Sequence, residues 1–349
     1  MCNFSEKEKV VFIMPAYNAE AYIEPSIMSV LNQTYRNLEL VVVNDGSTDS
    51  TADILEKIAE KDCRLKILTV ENGGPASARN AALDSLDGSS DYIMFCDSDD
   101  FLKPDMVERA VESARDGTDF VLMGFTIVNA DGTKNDYFEP DMKLDNDTIG
   151  AVLGNLYKAN LLNQVWGKLF RSDIIFDKTI RFPDYYWGED RFFVFEYLNN
   201  SYTVNVLSYC GYEYVMHKGQ SLITGFYKNK AEICVLIDER MEELCRKYKV
   251  KDDSAFRYMF AKSIFSCFAN LFSPTCKLSH SEKRNYIWKI ISDEHVLERC
   301  KGAKGSLAIR IICWIMSTGS ISLNMFAAYA ASLFSKLSPD SFRKIKHKK

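Results

Sequence analysis

The sequence predicts an α/β protein, a sheet with helices on both faces followed by a helical C-terminal extension. Three observations carry this. Over the first 125 residues, apolar runs rich in β-branched side chains alternate with amphipathic stretches. Several of those runs end directly in Asp or Asn. Beyond about residue 228 the strand-like runs stop and helical periodicity takes over.

The elements follow in order. VVFIM (10–14) reads as a strand, and a helix over about 20–32 carries Ile23, Ile27, Val30 and Leu31 on one face. LELVVVN (38–44) is the second strand. The next helix has Ser47, Thr48 and Asp49 as candidate N-caps. RLKILTV (64–70) is a third strand, and Asn72-Gly73-Gly74 turns into a helix near 75–87 with Pro75 in its first turn. DYIMFC (91–96), a helix opening near Pro104, and DFVLMGFTIV (119–128) complete the alternation. Strands alternating with helices imply a parallel sheet covered on both faces. Such sheets bind ligands at the carboxyl ends of their strands, so Asp45, Asn72 and Asp97 should converge on one edge. A polar insert (129–147) contains Asp131-Gly132 and reads as a hairpin or loop. The segment 148–228 is mixed. After it, AEICVLIDERMEELCRKY and SAFRYMFAKSIFSCFANLF are helical, which places a boundary near 228.

A net charge of −5 argues against a nucleic-acid partner. The ten cysteines include no CxxC pair, which removes zinc spacing and reads as buried free thiols in a reducing cytosol. No charged residue occurs from Ile311 to Ser335. Basic residues follow, at Lys336, Arg343, Lys344, Lys346, Lys348 and Lys349. A polar centre with Gly319 breaks the run. A pair of apolar helices meeting the cytoplasmic face of a membrane is the expectation over 305–349; a buried pair and a spanning segment are the alternatives.

FCDSDDF (95–101) places three carboxylates within four residues at a strand end. Like charges this close repel unless something positive neutralises them. Hard divalent cations take oxygen ligands, and Mg²⁺ or Mn²⁺ commonly bridges one or two carboxylates to substrate phosphates. Asp97 and Asp99 would face opposite ways in a strand but can point at one ligand from a turn. The alternative is a solvated acidic turn capping the next helix.

PAYNAEAYIEPSIMSVLNQTYRNLELVVVNDGSTDST, ENGGPASARNAAL, YIMFCDSDDFLKPDM and WGEDRFF occur in that order. Over roughly residues 8–220 the sequence resembles the family 2 glycosyltransferases. The resemblance implies a GT-A fold, a Rossmann-like mixed sheet. It implies a transferase domain over 1–228, with a nucleotide-sugar half (about 8–125) and an acceptor half (about 126–228), before a helical region at 229–349. Pro15 and Tyr17 match positions lining uracil and ribose, with Ala16 and Ser98 among the nucleotide-binding positions. Asp45 matches the aspartate that bonds the base, and Arg79 a basic residue near the nucleotide. Asp97 matches the ribose- or metal-facing acid and Asp99 the metal-coordinating one. Asp190 matches the catalytic base, with Glu189 beside it; spacing does not decide between them. Trp166, Lys168, Trp187 and His217 are acceptor-side candidates, and His217 is also a candidate for the metal or diphosphate.

The resemblance further implies inversion at the anomeric carbon of a UDP-sugar, dependent on Mn²⁺ or Mg²⁺. The acceptor would be a saccharide or lipid-linked hydroxyl in cell-surface polysaccharide synthesis, in the cytoplasm or at the inner face of the cell membrane. Each residue also has a plainer use: strand end, packing, helix cap or surface ion pair. A DxD phosphatase is a rival, but its motif normally follows the first strand and here follows the fourth. A non-catalytic sugar-nucleotide-binding protein of the same fold is the other. No GxGxxG follows a strand, which argues against a dinucleotide dehydrogenase.

Overall fold

The structure, a computed structural model, describes residues 8–185, 187–217, 226–304 and 307–337. They divide into two compact units. The first runs to residue 152 and resumes at 159–217; the second takes 153–158 and the described residues after 218. The tail 338–349 and Tyr186 lie outside the described residues.

The first unit is built on one sheet, of ten strands among the described residues. They are β1 (Val10–Ala16), β2 (Leu38–Asp45), β3 (Leu65–Val70), β4 (Tyr92–Phe95), β5 (Phe101–Leu102), β6 (Phe120–Val128), β7 (Lys134–Tyr137), β8 (Met142–Asp145), β9 (Lys168–Arg171) and β10 (Thr203–Val215). The order is β3-β2-β1-β4-β9-β6-β10-β5, with β7 on β6 and β8 on β10. The β3–β2–β1–β4 run is parallel, as the alternation predicts. The sheet as a whole is mixed, because β9 pairs antiparallel with both β4 and β6, and β5, β7 and β8 are also antiparallel. Periodicity could not show this: direction is set by where the 148–215 segment returns, not by local pattern. β10 is irregular. It pairs with β6 through register shifts between Leu207 and Tyr212, so its 13 residues carry extra length past the nine of β6.

Every residue of β1 is buried, as expected for a strand covered on both faces. Helix α1 (Ile23–Leu31) buries Ile23, Ile27, Val30 and Leu31, the face its periodicity predicts. Helix α2 (Thr51–Ala59) buries Thr51, Leu55 and Ile58. Helix α3 (Gly74–Ser85) buries Ala76, Ala78, Arg79, Ala82 and Leu83. Helices α4 (Met106–Ala114), α6 (Ser172–Asp177) and α7 (Glu189–Asn200) complete the unit. The Asp131-Gly132 turn joins β6 to β7 as a hairpin.

The loops after β1 and β2 interlock. Asn18 N–H donates to Ser47 Oγ, Thr48 N–H to Asn18 Oδ1, and Ala19 N–H to the buried Thr51 Oγ1. Gly46 holds φ +69°, and a Cβ there would lie 2.9 Å from the Asn72 backbone nitrogen. Gly46→Ala is expected to cost about 1–2 kcal/mol, read as a lower urea midpoint at unchanged m value. An unchanged midpoint would mean that the loop yields freely.

In the second unit, α5 (Leu153–Lys158), α8 (Lys230–Lys247), α9 (Ser254–Asn270), α10 (His280–Ile291), α11 (Glu294–Lys301), α12 (Leu307–Ser317) and α13 (Ile321–Leu337) form a helical array. Its core contains a buried ion pair: Arg299 donates to Asp238 at 2.6 and 2.9 Å and to Asp253 at 3.0 Å. Among the described residues no helix is long and apolar enough to cross a membrane. Helices α12 and α13 turn at Gly319, φ +66°.

Candidate active site

The strand ends converge as the topology requires. Asn72 Nδ2 donates to the Asp45 carbonyl at 2.9 Å. The Asp45 carboxylate accepts from Gly73 N–H at 2.8 Å and Gly74 N–H at 2.9 Å. It therefore anchors the N-terminus of α3, where orphan amides and the helix dipole favour an anion. Asp45 is only 3% exposed. Both carboxylate oxygens thus accept from backbone amides. Pro15 and Ala16 are buried at the end of β1, whereas Tyr17 is 52% exposed.

The three aspartates of the acidic cluster have three different partners. Asp97 Oδ1 accepts from Arg79 Nη2 at 2.7 Å. Asp99 Oδ2 lies 3.6 Å from His217 Nε2 and its side chain is 40% exposed. Asp100 is fully buried and accepts from Tyr212 O–H at 2.7 Å and Val215 N–H at 2.8 Å. Burial, then Asp97 and Asp99, push the Asp100 carboxyl well above the usual carboxylate range. The third acid is thus part of the frame: it ties the loop to β10. The Tyr212 hydroxyl also accepts from Asp97 N–H at 3.0 Å, so one phenol fixes both ends of the DSDD turn, Asp97 and Asp100. Partial burial, then Asp97, raise Asp99, and His217 draws it back down.

Arg79 connects this cluster to WGED. It donates through Nη1 to Asp190 Oδ1 at 3.1 Å, and Nη1 lies 3.8 Å from Glu189 Oε1. Phe182 lies under the guanidinium, 5.4 Å from its ring centre. The Arg79 side chain is 4% exposed. Burial works against its charge, but Asp190, Asp97 and Glu189 outweigh burial and hold it above its ordinary value.

Glu189 and Asp190 occupy the first turn of α7, behind Gly188 at φ +87°. Anions are favoured there. Asp190 Oδ2 also accepts from Val165 N–H at 3.4 Å. Burial raises the Asp190 carboxyl, opposed by Arg79. Burial and then Asp190 push Glu189 up to about 7. Lys168 is 1% exposed and donates to the Trp166 carbonyl at 3.2 Å. Burial brings its ammonium down to about 7, and Asp190 pulls it back up.

The matching family model, Glycosyl transferase family 2, covers residues 11–173. Residues 11–173 thus match as a family 2 glycosyltransferase domain. It is 32% identical over 186 residues to the uncharacterized glycosyltransferase EpsJ of Bacillus subtilis, covering 50% of this chain and 53% of that protein. It is 31% identical over 221 residues to glycosyltransferase GlyA of Streptococcus pneumoniae, covering 61% and 31%. It is 44% identical over 103 residues to hyaluronan synthase of Pasteurella multocida, covering 30% and 10%. The chain spans about half the length, or less, of these curated relatives. The structure of S. aureus TarS 1–349 in complex with UDP-GlcNAc superposes with TM-score 0.67 at 21% identity, covering 92% of this chain and 91% of that one. That likeness establishes the GT-A fold.

Within the transferase domain, Asp97, Arg79, Asp190 and Glu189 come together, and Asp99 pairs with His217. Two acceptor-side expectations are corrected. Lys168 is enclosed beneath Asp190. Trp166, 7% exposed, stacks on Tyr212 at 4.4 Å and packs edge-on to Phe125 at 4.9 Å. Both serve the interior. Trp187 is half-buried with the Arg191 guanidinium 5.0 Å from its ring centre. Sequence reasoning missed Tyr212, Phe182 and Tyr22, whose ring lies 4.1 Å from His217. Nothing marks these three out among the 18 tyrosines and 22 phenylalanines of the chain.

The residues fit a divalent cation. His217 Nε2 is a buried nitrogen with no hydrogen-bond partner, next to the half-exposed Asp99 carboxylate. Among the described residues no three His, Cys, Asp or Glu could hold a metal unaided. Two protein donors completed by diphosphate oxygens match the usual Mg²⁺ or Mn²⁺ arrangement in nucleotide sites.

Proposed function

We propose that the domain transfers a sugar, with inversion, from a UDP-sugar to a hydroxyl of a saccharide or lipid-linked acceptor, at the inner face of the cell membrane in surface polysaccharide synthesis. The observation that carries it is Arg79 spanning Asp97 and Asp190. An acid read on the donor side and one read on the acceptor side are held to one buried cation. UDP-GlcNAc in the TarS complex and hyaluronan synthase among the relatives support this substrate class.

In this reading Tyr17 stacks on the base. Asp99 and His217 would hold Mn²⁺ or Mg²⁺. When bound, that ion would neutralise charge growing on the leaving diphosphate. The acceptor oxygen attacks the anomeric carbon as its proton passes to the Asp190 carboxylate. The bond from that carbon to the diphosphate breaks, and its electron pair leaves with the nucleotide. Attack from the far side inverts the centre. Arg79, the Val165 amide and Lys168 favour the ionised Asp190 that a base requires, against the burial that opposes it.

Calorimetric titration of UDP with and without Mn²⁺ tests the donor site. Asp99→Asn and His217→Ala are each expected to weaken Mn²⁺-dependent binding by about 10–100-fold or more. Equal binding by both variants, or no dependence on metal, would remove the metal from this site. A panel of UDP-, GDP- and dTDP-sugars then identifies the donor.

A further inference from the structure

Helices α12 and α13 each expose one apolar stripe. On α12 it is Leu307, Ile311 and Trp314, at 70%, 47% and 64% exposure. On α13 it is Phe326, Tyr329 and Leu333, at 68%, 49% and 38%. The spacings i, i+4, i+7 and i, i+3, i+7 put each triad on a single helix face. These are not loose ends of a core. The opposite faces are already packed: Ile309, Cys313 and Met316 on α12, and Met325, Ala328 and Ser332 on α13, are all buried. The turn between the helices is latched by Asn324, 1% exposed, whose amide donates to the Ile315 carbonyl at 3.1 Å and the Ser320 carbonyl at 3.0 Å.

We infer that these two stripes dock on an anionic lipid bilayer, with α12 and α13 lying in its interface rather than crossing it. Neither helix is long and apolar enough to span. The stripes carry Trp, Phe and Tyr, the side chains favoured where headgroups meet acyl chains. No charge interrupts the segment from Ile311 to Ser335. Charge complementarity selects the lipid. Arg310 is exposed beside the α12 stripe, and Lys283 lies 4.9 Å over the Phe272 ring, which itself packs 5.4 Å from Tyr329. The residues after Leu337 add five Lys or Arg against a single Asp. Basic residues next to an apolar interfacial helix are what an anionic surface attracts.

The inference deepens the membrane location in the proposed function and is separable from the transfer chemistry, because binding is read without turnover. The full chain is sedimented with phosphatidylcholine vesicles and with vesicles that also contain phosphatidylglycerol. Its oligomeric state is read by light scattering. Binding is expected to the mixed vesicles, to weaken with salt, and to fall about tenfold or more in the double variant Trp314→Ser, Phe326→Ser. The melting temperature should not change, since both side chains are exposed. Absence of vesicle binding overturns the inference, as does binding equal in wild type and variant. A wild-type oligomer that the double variant dissolves also overturns it, because a second copy then covers the stripes.

Discussion

Arg79→Met is expected to be the most damaging single change in the transferase domain, costing about 3–5 kcal/mol of stability and abolishing turnover. One buried guanidinium is the cation for Asp97 and Asp190 and lies within ion-pair reach of Glu189. Removing it leaves carboxylates that have repelled each other all along without their counter-charge. The lower end of that range is the better expectation, because the Asp97 side chain is 30% exposed and water screens part of the loss. Arg79→Lys separates charge from geometry. An ammonium keeps the charge but cannot span both acids as the planar fork does, so it should recover part of the stability and little of the rate. Denaturant unfolding and nucleotide release, measured on the same preparations, test this. Full activity in either variant would mean that the bridge is incidental.

Asp190→Asn should lower turnover by about 10²–10⁴-fold while donor binding persists, the signature of a lost general base. Glu189→Gln separates the neighbour. Its folded pKa, about 7, lies above its ordinary value near 4.5, so the folded state holds the extra proton in between. Stability from this group is therefore present at low pH and lost as pH rises from about 4.5 through 7. Glu189→Gln should flatten that part of the stability–pH curve and leave the chain relatively more stable at pH 8. If Glu189→Gln also removes turnover while Asp190→Asn spares it, the base is Glu189.

The parallel half of the fold was legible because each of its elements announces itself locally. VVFIM and LELVVVN are apolar throughout, the face of α1 repeats at helical spacing, and NDGS, ENGG and FCDSDD mark strand ends. Three of the residues that meet at the site, Asp97, Asp99 and Asp190, were readable as motifs for the same reason. What was not legible depends on contacts between distant segments. The antiparallel return of β9 leaves no periodic trace. Asp100 looks equivalent to its neighbours until Tyr212, more than a hundred residues later, donates to it. Lys168 and Trp166 are acceptor-side candidates by sequence, and only the packing of β9 and β10 encloses them. The exposed stripes of α12 and α13 were not legible either, since sequence gives the spacing but not which face finds a partner.

β10 acts as a ruler. Its extra residues between Leu207 and Tyr212 set the phase of everything beyond them: Tyr212 toward Asp100, the Val215 amide onto the same carboxylate, and His217 beside Asp99. Side chains alternate faces along a strand, so deleting one residue there would turn that whole series over. The Asn129–Thr133 turn between β6 and β7 carries no such count. Length variation in this fold should therefore be tolerated at that turn and forbidden within β10, which touches the acidic cluster directly.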